Sequence, residues 1–168
     1  MYLYQRQQRI QELLKIYKNK LPEPNVNHPA LIQKAVGFIY KHLFDQRLTI
    51  QWLKQQFLFD GVPFSLSFRR YMDKTPNEFW AEHRMEAAIV LLKDDALEEA
   101  MIGNISFNVG YSSHSAFSIA FKKYTGYSPR TFRKNDIDLS KEKKLKKESA
   151  KRETISVYER TIILRMMN

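Results

Sequence analysis

The sequence has no cysteine among its 168 residues, so neither a disulfide framework nor thiolate chemistry is available to it. Glycine is scarce, with only 5 residues, and the sequence has no glycine-rich phosphate loop and no nucleophile elbow. The 4 histidines are far apart and do not show the spacing of metal ligands. We therefore expect no catalytic residue, no cofactor and no metal site.

Long apolar runs are also missing. No run approaches the roughly 18 residues that a membrane-spanning helix needs. Polar residues 5–8 interrupt the N-terminal segment, where a signal peptide would have its apolar core. These features favour a cytoplasmic protein without membrane contact. The 43% hydrophobic content and 11 phenylalanines are enough for a packed helical core of ordinary size.

The charge is strongly one-sided, with a formal net charge of +10 and a pI of about 9.7. Residues 1–29, 30–135 and 136–168 carry net charges of +3, +4 and +3, so the excess extends along the whole chain. An extended polyanion is the partner that such a distribution suits best. Solubility alone is the other explanation, and the charge does not choose between them.

The stretch 102–133 has the clearest pattern. Ile102, Ile105 and Val109 recur at helical spacing, and Gly110 follows where a helix commonly ends in a left-handed residue. Ser112 or Ser113 then has the hydroxyl that can cap a second helix. The apolar stripe of that second helix consists of Phe117, Ala120, Phe121 and Tyr124. Two short amphipathic helices joined by a tight turn predict a helix-turn-helix unit.

An internal repeat predicts a second unit of the same kind. Residues 68–79 (FRRYMDKTPNEF) match residues 121–132 (FKKYTGYSPRTF), 53 positions later. In both copies a hydroxyl residue precedes proline, which predicts an N-cap followed by proline at the first helical position: Thr75 and Ser128.

The upstream unit is expected to contain three helices. The first runs from Ala30 to about Phe44 and places one set of side chains on its inner side: Leu31, Ala35, Phe38, Ile39, His42 and Leu43. Thr49 caps the second helix, whose stripe is Ile50, Leu53 and Phe57. Asp60 caps the third, in which Phe64, Phe68 and Tyr71 face the core.

A longer helix, Pro76 to Lys93, is predicted to join the two units, with Arg84 pairing with nearby carboxylates. The fold class is therefore all-α, with two helix-turn-helix subdomains, at 30–75 and 94–135, joined by a linking helix at 76–93. An N-terminal helix and a Pro/Asn linker occupy 1–29. The basic extension 136–168 can be read as helix, strand or solvated tail.

Residues 2–21 also read as a helix, with a short seam of Leu3, Ile10, Leu14, Tyr17 and Leu21. Such a seam suits packing on its own domain or self-association through residues 3–21, and the first reading is the simpler one.

The order I-x-x-I-S, V-G-Y, S-x-x-F-S-x-A-F-K-K and G-Y-S-P-x-x-F-R in residues 102–133 resembles the second helix-turn-helix of the AraC/XylS transcription regulators. About a dozen positions fall in order without a gap, and with the upstream copy the resemblance covers about Ala30 to Lys134. It implies a homeodomain-like pair of units that binds double-stranded DNA in successive major grooves. The larger regulators of this family carry a sensor ahead of the domain, so we expect either a stand-alone regulator or the output part of a longer one.

Transferred by position, the recognition helices are about 61–71 and 113–124. The expected base-edge contacts are Ser113, His114, Ser115 and Ile119 downstream, and Val62, Pro63, Ser65 and Leu66 upstream. The expected phosphate contacts are Arg69, Arg70, Ser112, Lys122 and Lys123. The family often has arginine where Ile119 and Leu66 stand, and those two side chains can touch only a thymine methyl.

The expected function is sequence-specific DNA binding, with activation of transcription through contact with RNA polymerase. Lys54 and Leu58 replace the small alanine and the turn glycine that the family usually has in its first unit. The alternative is therefore a protein-interaction module with a degenerate first helix-turn-helix and weak or non-specific DNA binding.

Overall fold

The structure, a computed structural model, describes residues 2–57, 64–98 and 100–134. All regular elements in these ranges are helical, which confirms the all-α class. They are α1 (Tyr2–Asn19), α2 (Ala30–Lys41), α3 (Ile50–Gln56), α4 (Phe64–Met72), α5 (Pro76–Leu92), a 3-10 turn (Asp95–Leu97), α6 (Ile102–Asn108), α7 (His114–Thr125) and α8 (Pro129–Lys134). None of these helices is long and apolar enough to cross a membrane. Several residues singled out above lie outside the described ranges: Leu58, Asp60, Val62, Pro63 and 136–168.

Helices α2, α3, α4 and the first turns of α5 surround the upstream core. Thr49 Oγ1 accepts a hydrogen bond of 3.1 Å from the Trp52 backbone N–H, so the predicted cap of α3 is present. Phe64 and Phe68 lie one turn apart, with ring centroids 5.6 Å from each other, and Phe68 is 5.6 Å from Phe79 of α5. This aromatic series ties the third helix of the unit to the linking helix.

The downstream core repeats the same arrangement. The Phe117 and Phe121 rings of α7 are 5.6 Å apart, and Phe121 is 5.4 Å from Phe132 of α8. These three residues are the counterparts of Phe64, Phe68 and Phe79 in the repeat. The two helices that follow the repeat's hydroxyl–proline pair are also capped alike. Thr75 Oγ1 accepts from the Glu78 N–H at 3.3 Å, and Ser128 Oγ accepts from the Thr131 N–H at 3.1 Å.

Arg84, near the middle of α5, lies between the two units and is buried. Its Nε donates to Leu43 O at 2.8 Å, its Nη2 to Asp45 O at 2.8 Å and its Nη1 to Gly110 O at 2.9 Å. The prediction that Arg84 pairs with carboxylates is therefore wrong. Its acceptors are backbone carbonyls of loop residues, of which the Asp45 carbonyl also accepts from the Leu48 N–H at 3.1 Å. Burial lowers the pKa of Arg84 because desolvation disfavours the charged form.

Helix α1 packs on the same domain. Ile10 and Leu14 are buried, Arg9 forms a 2.8 Å ion pair with Asp94, and the Tyr17 hydroxyl donates to Glu86 Oε2 at 2.6 Å. Burial raises the pKa of Tyr17, so the phenol stays protonated as a donor. Leu3 takes no part in this packing, since 75% of its surface is exposed. Self-association through α1 stays a prediction.

Two expected core residues lie at the surface instead. Leu31 is 36% exposed, because Ile32, at helical spacing from Val36 and Ile39, occupies the inner face of α2. Tyr71 is 37% exposed, since Phe64 and Phe68 already fill the core side of α4. Helix α2 also ends at Lys41, three residues before the predicted end.

Candidate nucleic-acid interface

The turn between α6 and α7 sets the direction of the downstream recognition helix. Gly110 has a φ of +93°, a left-handed conformation that favours glycine, and its N–H donates to Phe107 O at 3.1 Å. Ser113 is extended and its Oγ accepts from the Ala116 N–H at 3.2 Å, so Ser113 rather than Ser112 is the N-cap. Helix α7 therefore begins at His114, and His114 and Ser115 in its first turn are exposed.

One face of α7 is locked in the core and the opposite face is open. Phe117 and Phe121 are fully buried, whereas His114 and Ser115 are exposed and Ile119 is 72% exposed. Gly126, with a φ of +87°, ends the helix, and its N–H donates to Lys122 O at 2.8 Å. The predicted downstream base-edge residues are thus all exposed: Ser113, His114, Ser115 and Ile119. The burial of the two phenylalanines fixes which face of α7 is open.

Basic pairs lie in the last turn of each recognition helix. Arg69 and Arg70 on α4, and Lys122 and Lys123 on α7, are all exposed. None of these four forms a salt bridge with a carboxylate of the described ranges. They occupy equivalent positions in the repeat, so each unit presents two exposed cations on its predicted recognition helix. Exposed cations of this kind suit phosphate contacts.

The exposed surface of α4 has less hydrogen-bonding capacity. Leu66 is 64% exposed and is the repeat counterpart of Ile119, while Ser65 is half-buried, as is its counterpart Ser118. Ser65 is therefore the one hydrogen-bonding side chain that the structure can place among the predicted base contacts of this unit. In α3, Lys54 is exposed, so the substituted position adds a cation at the surface instead of disturbing the core.

An open groove beside the start of α7 contains cations that the sequence reasoning missed. Its lining includes residues 100–103 and Glu98, His114 and Ser118 of α7, and four residues of α8: Pro129, Arg130, Arg133 and Lys134. Arg130 and Lys134 are exposed there. Ser112 is exposed in the turn that precedes α7. Arg130 and Lys134 could have been found from their position just after the Ser128–Pro129 cap, because a short helix there leaves these two basic side chains exposed.

The acidic connector between α5 and α6 is structural in the part that the structure describes. Asp94 accepts from Arg9, and Leu97 of the same turn is buried. Within the described ranges, including this connector, no group of three or more histidine or carboxylate side chains is placed to hold a metal ion. Most of the exposed side chains of α4, α7 and α8 described above are cationic or polar, which suits the binding of a polyanion.

Comparison with known proteins shows what the chain is similar to. Residues 63–135 match the family described as "Helix-turn-helix domain". The chain is 35% identical over 106 residues to the HTH-type transcriptional regulator AlkR of Acinetobacter baylyi, covering 63% of this chain and 33% of that protein. It is 29% identical over 109 residues to the arabinose operon regulatory protein of Escherichia coli, covering 63% and 36%. The chain therefore spans about a third of the length of these curated relatives.

A solved structure shows a similar fold. The C-terminal domain of AraT, a response regulator from Geobacillus stearothermophilus, superimposes with a TM-score of 0.58 at 28% identity. The match covers 64% of this chain and 87% of that domain. The relatives are named as transcriptional regulators, and none of them is named as an enzyme. Residues 63–135 therefore match a helix-turn-helix domain, and the chain is similar to DNA-binding transcriptional regulators of the AraC type.

Proposed function

We propose that this chain binds double-stranded DNA with α4 and α7 in successive major grooves, and that it regulates transcription. The exposed start of α7 carries the proposal. His114 and Ser115 present short hydrogen-bonding groups on a helix that the buried Phe117 and Phe121 hold rigidly. The N-terminal residues of a recognition helix are those that contact base edges in helix-turn-helix complexes.

The two recognition helices have different roles in this proposal. Helix α7 reads sequence through Ser113, His114 and Ser115, with Ile119 against a thymine methyl. Helix α4 positions the protein through Arg69 and Arg70 on phosphates and contributes little base discrimination, because Leu66 cannot form a hydrogen bond.

The regulatory outcome that the family resemblance implies is activation through contact with RNA polymerase in the cytoplasm of a bacterium. The matched relatives support a regulatory role by their names. Transcription in vitro from a promoter that carries the preferred site measures this directly. A rise in transcript with the protein supports activation, and a fall indicates repression.

Selection of bound sequences from a random DNA pool gives the preferred site, and a salt titration then tests the binding mode. For about five phosphate contacts, the slope of log K against log salt should be near −4 to −5. Undetectable binding at low salt would contradict the proposal that the chain binds DNA.

Three variants on the selected site separate reading from positioning. His114→Ala should weaken the preferred site much more than random DNA, because a good base contact discriminates by roughly 1–3 kcal/mol. Arg70→Ala should weaken both equally and make the salt slope shallower by about one unit. Leu66→Ala is the matched apolar control and should change sequence preference little. Relaxed specificity in Leu66→Ala with unchanged specificity in His114→Ala would reverse the assignment.

A second candidate function is a protein-interaction module with weak DNA binding. The exposed apolar side chains at matching positions, Leu66 and Ile119, favour it. This candidate predicts DNA binding without sequence preference, so the random-pool selection would recover no common site.

A further inference from the structure

The segment Asn25–His28, which we call the N-terminal loop, is held in one conformation. Gln33 Nε2 of α2 donates to His28 O at 2.7 Å and to Val26 O at 3.2 Å. Inside the loop, the Asn27 N–H donates to Asn25 Oδ1 at 2.9 Å. The loop is thus fastened to the first helix of the upstream unit, with its side chains in defined places.

The fastened loop meets the recognition helix of that unit. The His28 ring lies 5.6 Å from the Tyr71 ring, and the Arg70 guanidinium lies 5.9 Å from the same tyrosine. Tyr71 is in the last turn of α4 and is 37% exposed. Val26 projects from the loop, with 82% of its surface exposed. The loop therefore continues the surface that begins with the basic pair of α4.

The chemistry of this continuation suits the sugar–phosphate backbone. Asparagine amides, an imidazole and a phenol can all form hydrogen bonds, and much of the hydrogen bonding between proteins and DNA goes from such groups to phosphate and sugar oxygens. A segment just ahead of the first helix of a three-helix unit is also placed to reach DNA beside the recognition helix, as the arm of a homeodomain does.

We infer that the N-terminal loop, together with Tyr71, forms an additional DNA contact on the backbone that flanks the groove occupied by α4. This inference rests on the proposed function. It extends the interface beyond the two recognition helices and gives the segment ahead of α2 a binding role.

Opposite charges at Val26 test the location. On the selected site, Val26→Asp should weaken binding about threefold and Val26→Lys should strengthen it about threefold, as expected for one charge some 7 Å from a phosphate in water. Val90→Asp is the control, because Val90 is an exposed apolar residue of α5 that lies outside the loop, both recognition helices and the α1 seam. Equal weakening by Val90→Asp and Val26→Asp would overturn the inference, since it would show a general effect of net charge.

Uncharged truncations test the chemistry. Asn27→Ala and Tyr71→Phe should each weaken binding about two- to tenfold, the value of one hydrogen bond. They should leave the salt slope unchanged, whereas Arg70→Ala should make it shallower. Hydroxyl-radical footprints of both variants should lose protection on one flank of the site only. Thermal melts of both variants should match the parent.

Different outcomes overturn the proposed function and the loop contact. A parent chain that fails to bind any selected DNA overturns the proposed function and this inference together. A parent that binds, with the Val26 pair, Asn27→Ala and Tyr71→Phe all equal to it in affinity and footprint, overturns only the loop contact.

Discussion

Replacing Arg84 with methionine tests whether one buried side chain holds the two helix-turn-helix units in register. Methionine keeps an unbranched apolar stem but removes the guanidinium. The carbonyls of Leu43 and Asp45 in the upstream unit and of Gly110 in the downstream turn would then lose their shared donor.

The expected loss can be worked from these contacts. Each buried carbonyl left without a donor costs about 1–3 kcal/mol, and the bonds to Leu43 O and Gly110 O are both buried. Burial of the charge itself opposes folding, as the lowered pKa of Arg84 indicates, and methionine relieves that penalty. We therefore expect the free energy of unfolding to fall by roughly 2–4 kcal/mol.

Urea unfolding followed by circular dichroism measures the loss, with Arg69→Met as the control. Arg69 is exposed on α4, so the same replacement there should change stability by less than about 0.5 kcal/mol. Arg84→Lys keeps a cation but has one nitrogen in place of three, and it should recover only part of the stability.

Binding provides a second readout for the same variant. If Arg84 sets the register, Arg84→Met should weaken a full site much more than a half-site that only α7 contacts. Parent-like stability, or equal weakening on both DNAs, would refute the view that these three hydrogen bonds join the units.

Three further predictions concern the folding of the units. Phe121→Ala and Phe68→Ala should each lower the free energy of unfolding by roughly 3–5 kcal/mol, because both rings are fully buried at equivalent places in the repeat; urea unfolding that matched the parent in either variant would contradict the shared core. Gly110→Ala should lower the melting temperature, since φ is +93° and the new Cβ would lie 2.8 Å from Arg84 Cζ; a melt equal to the parent's would contradict both the backbone strain and the clash. Thr75→Ala should cost about 1 kcal/mol through loss of the α5 cap, measured by the same urea titration, with no change if the cap is dispensable.

Local structure followed from short-range patterns. A cap needs only a hydroxyl residue at the right distance from a helical stretch, and Thr49, Thr75 and Ser128 all accept the expected backbone hydrogen bond. The phenylalanines of the repeat predicted two matching cores in the same way, because residues one helical turn apart share a face. The exposed face of α7 followed from the burial of Phe117 and Phe121.

Contacts between distant segments needed the tertiary structure. The acceptors of Arg84 are backbone carbonyls, which every residue has, so no sequence pattern marks Leu43, Asp45 and Gly110 as its partners. The position of Tyr71 is a similar case, since helical spacing alone allowed it in the core, whereas Phe64 and Phe68 fill the core side of α4.

The sequence by itself determined the helical fold class, the caps at Thr49, Thr75 and Ser128 and the duplicated aromatic core, because these depend on side-chain chemistry within a few residues. The tertiary structure decided which surfaces meet. Helix α1 binds Asp94 and Glu86, the basic side chains of α8 lie beside α7, and the N-terminal loop packs against α4. Such contacts depend on how the chain returns in space, and a buried carbonyl or a half-exposed ring leaves no periodic trace in the sequence.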